Sequence, residues 1–415
     1  MKFIHFVIVG LVGISSCVSS AIADELSLRT AFENALRGNP NLQKYSYQLR
    51  MAEAEKLQAS LRPNPTLGLE FENILGTGES SGFSNGQATL SYSQLIELGD
   101  KRKNRMAYAS AEQRQIAVEF EYAKNEVLAE TALRFYEVLR IQALLRWNQK
   151  HLQRLADLHQ LAKARVQSAA VPPSEATRVQ LQHRQAEVRG EELQGQLIAA
   201  ISSLSAMWAS KPNFEKVVGE FNNDFHIPSE VAVENAINEA PELLRLLESE
   251  RLITAKIGSV NAAATADLNL GLGVRYNNQV DDAGLVLQAS MPLQLTNPKQ
   301  GTLKANKVER EMVYEQQRLV RDKLRAFSNE LLVELQTNVR YLQAVQSDLL
   351  PLAQRLEREI NDGYERGTHS LLTVLDAQHE LAQQEYLVIE RRAAIYRGFL
   401  QLELLTGKTF LGSGL

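Results

Sequence analysis

The feature that most constrains this chain is how little punctuation it carries. Lys101 to Gln167 holds neither proline nor glycine, and residues 301–364 are interrupted only by Pro351 before Gly363 close to the end. Such a stretch reads as one continuous α-helix, and at 1.5 Å per residue each would span about 100 Å. That is far beyond the usual helix of a globular protein. In the second stretch Leu324, Phe327, Leu331, Leu335, Val339, Leu342 and Val345 recur at steps of three and four, a coiled-coil-like seam. Leu332 and Leu350 broaden the seam, which predicts neighbours on both sides of the helix. Residues 174–208 and 370–405 read as antiparallel returns. Pro172 and Pro173 suit a helix start, and Gly367 suits a helix end that needs positive φ. The result is two tall helical hairpins, about 101–208 and about 301–405, each turning about 100 Å from the segment before it.

Those preceding segments alternate. In residues 267–276, Leu268, Leu270, Leu272, Val274 and Tyr276 take one face; Asn269, Gly271, Gly273 and Arg275 take the other. Leu67, Leu69 and Phe71 oppose Gly68, Glu70 and Glu72, and Leu90 and Tyr92 oppose Ser91 and Ser93. Period-two alternation predicts strands with one apolar and one polar face, at about 65–75, 87–97, 266–276 and 284–295. Two hairpins are too few for a sandwich or a closed barrel. Open edges cannot sit in lipid, because each unpaired N–H or C=O costs several kcal/mol there. If the strands span a membrane, several copies must share one barrel, with the polar faces lining water.

The chain also repeats itself. Ala31-Phe-Glu-Asn-Ala-Leu-Arg-Gly-Asn-Pro40-Asn-Leu42 aligns without a gap on Ala232-Val-Glu-Asn-Ala-Ile-Asn-Glu-Ala-Pro241-Glu-Leu243, and the same order of elements follows each copy. Residues 24–210 form the first repeat, 211–228 a linker or equatorial segment, 229–407 the second repeat, and 408–415 a C-terminal tail.

The N-terminus reads as a targeting segment: Lys2, a short apolar run, and Ala21-Ile22-Ala23 before Asp24, so residues 1–23 are expected to be a signal peptide. The rival is a lipoprotein signal that lipidates Cys17, the only cysteine. Either sends the chain out of the cytoplasm. A single cysteine excludes a disulfide framework. A net charge of −4 gives no reason to expect nucleic acid as a partner. Gly407-Lys408-Thr409 fails as a phosphate loop, since position 402 is leucine. His151, His159 and His379 lack metal-ligand spacing, with His151 and His159 expected on a helix surface, so no metal or cofactor is expected. No catalytic constellation can be assembled, and an enzyme is not expected.

Two strand hairpins, four tall helices and a duplication behind a secretory signal resemble the TolC-type outer membrane efflux family, over essentially the whole mature chain. The most specific motif is Tyr364-x-x-Gly367-Thr-x-Ser370-Leu-Leu-x-Val-Leu375-Asp376-Ala377-Gln378, similar to the family's second periplasmic turn. Residues 96–105, Ile-Glu-Leu-Gly-Asp-Lys-Arg-Lys-Asn-Arg, resemble the strand-to-helix junction of the CzcC-like branch serving heavy-metal pumps of the RND type.

The resemblance implies a mostly α chain, with long helical hairpins forming a periplasmic α-barrel. It also implies a homotrimer in which four strands from each of three chains close a 12-stranded transmembrane β-barrel in outer-membrane lipid. The tube would dock by its turns, at Val171, Pro172, Pro173, Ser174, Gly367, Ser370 and Leu371, on a periplasmic adaptor (membrane fusion protein) joined to an inner-membrane RND pump. It would be a passive gated conduit in a Gram-negative outer membrane, exporting divalent heavy-metal cations; the alternatives are a multidrug channel and a soluble periplasmic coiled-coil scaffold. The gate falls near the turns. Asp376 matches one acidic ring position, Thr373 replaces the second, and Tyr364 and His369 match the links between hairpins. Glu175 is a candidate partner of His369, whose protonation would strengthen closure in acid. Without a pore role, Asp376 would be a first-turn acid favoured by the helix dipole.

Overall fold

The computed structural model describes residues 25–78, 81–221, 225–293 and 295–410. The expected signal peptide 1–23, with Cys17, and the last five residues of the tail lie outside the described residues.

The chain opens with β1 (Glu25–Ser27), α1 (Leu28–Gly38) and α2 (Pro40–Ser60). Strands β2 (Thr66–Glu72) and β3 (Gln87–Ile96) lead into the long helix α3 (Lys101–Gln167) and its return α4 (Pro173–Ser205). After β4 (Lys216–Val218) the order recurs: α5 (Glu230–Asn238), α6 (Pro241–Ala263), β5 (Leu268–Asn277) and β6 (Asp282–Ser290). A second long helix is built from α7 (Gln300–Ala344) and α8 (Leu350–Glu365), and α9 (Leu371–Thr406) returns from it.

Equivalent sequence signals do equivalent work in the two halves. Ser27 Oγ accepts from Thr30 N at 3.2 Å to cap α1, and Ser229 Oγ accepts from Ala232 N at 3.2 Å to cap α5. Pro40 and Pro241 each open the next helix, where a missing N–H costs nothing. Ala35 and Ala236, then Leu42 and Leu243, are buried alike.

The long helices differ in one respect. The 67 residues of α3 are unbroken, whereas a π turn at Val345–Leu349 separates α7 from α8. Pro351 lies directly beyond that turn. A proline ring clashes with the carbonyl one turn back and removes an N–H, and the wider π turn makes room for both.

Away from the sheet, the four tall helices lie in one layer, ordered α4, α3, α9 and then α7/α8. Nearer the sheet the order is α2, α3, α6, α7. Two clusters hold the middle of the layer. One joins Phe135, Val138 and Leu139 of α3 to Leu204, Leu26 and Val217. The other joins Leu335 and Leu342 of α7 to Ile395, Phe399 and Leu402 of α9. The connecting segment is tied in by the parallel pair β1–β4, where Leu26 faces Val217 and Glu25 meets Lys216 at 2.7 Å. The seam on α7/α8 is divided: Leu324, Leu335, Val339, Leu342 and Val345 are buried, while Met312, Leu319, Phe327, Leu352 and Leu356 are exposed.

Both halves contribute to one antiparallel sheet, ordered β2-β3-β5-β6. The register lines up rows across all four strands: Leu67, Tyr92, Leu272 and Leu287 in one, Leu69, Leu90, Val274 and Leu285 in the next. Every side chain in these two rows is exposed, from Val274 at 50% to Leu287 at 83%. The other face is polar. Gly68, Ser91 and Gly273 share a row there, and the Arg275 guanidinium donates to Thr89 Oγ1 at 3.0 Å and meets Glu72 at 3.3 Å.

Two strands are shorter than their alternation predicts. β2 stops at Glu72 because Asn73 and Leu75 take left-handed backbone, with φ of 55° and 59°. β6 stops at Ser290, and Pro292 just beyond it has no N–H for a ladder.

Candidate functional site at the helical turns

The two hairpins turn through the same backbone motif. After α3, Ala169 is left-handed at φ 58°; its N–H donates to Val166 O at 3.0 Å and that of Ala170 to Arg165 O at 2.9 Å. After α8, Gly367 is left-handed at φ 80°; its N–H donates to Tyr364 O at 2.9 Å and that of Thr368 to Gly363 O at 2.8 Å. Each arrangement satisfies carbonyls that the helix end leaves free. Only the second turn uses glycine at the left-handed position.

The returns start differently. In α4, Pro172 is the cap residue, Pro173 the first helical one, and Glu175 an acid in the first turn, where the helix dipole favours it. In α9, Ser370 Oγ accepts from Thr373 N at 3.3 Å and lies 3.0 Å from Thr373 Oγ1. Thr373 therefore completes the cap of α9.

Tyr364 knits the turns together. Only 1% of it is exposed, and its hydroxyl donates to Glu175 Oε2 at 3.1 Å across the two hairpins. The Arg165 guanidinium lies 4.4 Å above its ring and donates to the Tyr364 carbonyl at 2.7 Å. Burial, and then the bond to Glu175, push the phenol above its usual pKa. Leu158 and Ala162 of α3, Val179 of α4, and Leu371 and Val374 of α9 pack around it in one cluster.

Several expectations about this region need correcting. The His369–Glu175 pair is not formed: Glu175 bonds to Tyr364, and the exposed His369 ring lies so close on Gly363 that no Cβ would fit there. Asp376 is exposed, but α9 has no acid in its first turn, so the helix dipole does not explain it. Leu371, expected at the docking surface, is 2% exposed and belongs to the core; its neighbour Leu372, 53% exposed, is the apolar side chain that this turn presents. Pro172, Pro173, Ser174, Gly367 and Ser370 are exposed and Val171 is half-buried.

A second set of contacts, above the turns, ties α3 to α9. Arg154 Nη2 meets Glu385 Oε2 at 2.7 Å, Trp147 Nε1 donates to Ala382 O at 2.9 Å, and Arg140 Nη1 meets Glu390 Oε1 at 2.5 Å. Arg140, Trp147 and Arg154 are spaced by seven residues, which puts them on one face of a helix; that spacing is the signal by which they could have been found. His151 is not the surface residue expected: it is half-buried, its ring parallel to Trp147 within 7° at 6.0 Å. Burial, then Arg154, with a smaller push from His379, lower its pKa to about 4 against the pull of Glu385. Among the described residues no group of three or more His, Cys, Asp or Glu side chains could hold a metal ion.

The family model for outer membrane efflux proteins matches residues 31–210. The chain is 25% identical over 403 residues to the cobalt-zinc-cadmium resistance protein CzcC of Cupriavidus metallidurans, covering 93% of this chain and 91% of that one. Among solved structures, CusC superposes with a TM-score of 0.75 at 14% identity, covering 92% of each chain. The outer membrane protein VceC of Vibrio cholerae superposes with a TM-score of 0.72 at 15% identity, covering 92% of this chain and 96% of that one. These structures share the fold.

Two outcomes follow from this geometry. Ala169→Gly should stabilise the protein by about 1 kcal/mol, and Gly367→Ala should destabilise it by a similar amount, since an L side chain in left-handed backbone costs about 1–2 kcal/mol; denaturant midpoints would read both. For His151, the unfolded chain takes up a proton near pH 6.5 and the folded chain only near pH 4. Stability is therefore complete above about pH 6.5 and is lost as pH falls towards 4. His151→Phe should flatten that window by about 1–2 kcal/mol after allowance for partial exposure, seen as a smaller acid shift in melting temperature.

Proposed function

We propose that the chain belongs to the outer membrane efflux family, a family of channel proteins, and that three copies form one outer-membrane conduit serving an RND-type pump and carrying divalent heavy-metal cations.

The observation that carries the trimer is the unfinished sheet. Its leucine rows have no cover within the chain, and β2 and β6 are edges with unpaired backbone groups. In hydrocarbon those groups must be paired, and β6 of one copy meeting β2 of the next pairs them. The rows of Leu67 and Leu69 then face lipid, and Glu70, Ser91, Arg275 and Glu72 face a watery lumen. The helical layer has the same need. Its outer helices expose Leu181, Val188 and Ile198 on α4, and Met312, Leu319 and Phe327 on α7, which suit each other across a subunit boundary. A soluble scaffold would have to leave all of this surface in water.

The turns are then the periplasmic mouth. Pro172, Pro173, Ser174, Gly367 and Ser370, with Leu372 in place of Leu371, would meet a periplasmic adaptor that joins the tube to the pump. The pump selects and drives; the tube excludes and conducts. Asp376 on α9 would form a ring of three carboxylates by symmetry, with Thr373 and His369 beside it, and the Tyr364–Glu175 bond would hold neighbouring hairpins closed. A metal cargo is supported by the resemblance to a cobalt-zinc-cadmium resistance protein, whereas a drug-exporting conduit would use the same architecture.

Deleting the gene should lower tolerance to cobalt, zinc and cadmium, and a plasmid copy should restore it. Lost tolerance to dyes and drugs with metal tolerance intact would favour the multidrug reading. In planar bilayers Tyr364→Phe should raise the mean conductance of the closed channel at least severalfold, and an unchanged conductance would remove Tyr364 from the gate.

A further inference from the structure

A recess of about 540 Å³ opens where β3 meets α3, lined by Arg62, Pro63, Ile96, Lys101, Arg102 and Lys103, with Gln94, Leu95, Glu97 and Asp100 completing it. Its charges are not balanced locally. Glu97 is taken by Arg105, whose Nη1 lies 2.5 Å from Glu97 Oε1, and Lys101 is taken by Asp267, 2.7 Å away. Arg62, Arg102 and Lys103 are exposed and make no ion pair among the described residues. Asp100 is the one lining carboxylate outside those pairs, so the recess keeps an excess of positive charge.

Its position says what would neutralise that charge. Ile96 and Gln94 point to the same side of β3 as Leu90 and Tyr92, so the recess adjoins the lower end of the apolar face. The ten residues of β3 extend about 33 Å, and at the usual barrel tilt this covers an apolar band about 25 Å tall. On the reading that this sheet spans the outer membrane, on which the inference rests, Ile96 marks the periplasmic boundary of the hydrocarbon. The cations then fall at headgroup depth. The exposed apolar side chain of Ile96 above and the cations below match an amphiphile with an anionic head. A free anion would gain nothing from the apolar rim.

We propose that this recess binds the headgroup of an anionic phospholipid in the periplasmic leaflet, with its phosphate among Arg62, Arg102 and Lys103 and its acyl chain along the Ile96 end of the apolar face.

The test uses the full-length protein, purified in dodecyl maltoside, stripped of lipid and mixed with equal amounts of phosphatidylglycerol and phosphatidylcholine. Native mass spectrometry reads the lipid retained by the intact oligomer. The wild type should retain phosphatidylglycerol about tenfold over phosphatidylcholine. The exposed triple variant Arg62→Ala, Arg102→Ala, Lys103→Ala should lose that preference. Arg355→Ala with Arg358→Ala, an exposed pair on α8, should keep it. Undiminished preference in the triple variant, or equal retention of the two lipids by the wild type, overturns the site while leaving the conduit reading intact. Displacement of phosphatidylglycerol by inorganic phosphate alone, without a lipid competitor, would overturn the lipid as the natural occupant. A monomer that retains neither lipid would defeat the conduit reading itself.

Discussion

The structure turns on backbone groups that one chain cannot satisfy. A four-stranded sheet always has two edges, and here the same sheet turns its leucines outward instead of burying them on the helices. In water that arrangement would aggregate; in lipid alone its edges would be ruinous. Only lipid on one face together with a neighbouring strand at each edge removes both penalties. In the proposed conduit, oligomerisation would complete the sheet's hydrogen bonding, and the exposed apolar sides of α4 and α7 would be covered by the same assembly.

The helices carry this incompleteness to the far end of the molecule, where the arrangement changes character. Around the turns the side chains are mutually satisfied within one chain: Tyr364 is enclosed, bonded to Glu175 and covered by Arg165. Higher up, the links from α3 to α9 are arginine–glutamate pairs and a tryptophan N–H, polar contacts that fix the register of the two helices. The tall layer is therefore held by buried apolar clusters and pinned at a few heights by polar contacts.

Much of this was legible in the amino-acid order. Unpunctuated length marked α3 and α7/α8, period-two alternation marked the four strands, and the Glu-Asn-Ala…Pro…Leu repeat marked the helices that now occupy equivalent places. What could not be read depended on rotation about a helix axis or on backbone that residue type does not announce. Leu371 and Leu372 are adjacent and chemically identical, and only the helix phase set by the Ser370 cap decides which one is enclosed. Ala169 adopts left-handed backbone without glycine, so nothing in the sequence signalled that the two turns share a motif. Glu175 was expected to meet His369, and its bond to Tyr364 instead follows from burial of the phenol, which had to find an acceptor. Similarly, the π turn ahead of Pro351 is a local response to a ring that the sequence showed only as an interruption.

The seam between β3 and β5 sets the order in which this molecule can be made. Gln87 pairs with Asn277, so the middle of the sheet joins segments that the ribosome produces far apart in time, with the whole first helical hairpin between them. Closing so long a loop is entropically slow compared with winding helices. A nascent first half can therefore build its tall hairpin early while holding only a single two-stranded ribbon, too small to stand alone in water. The greasy surface becomes whole only after the second half has emerged, which delays the most dangerous part of the protein until the chain is nearly ready for its membrane.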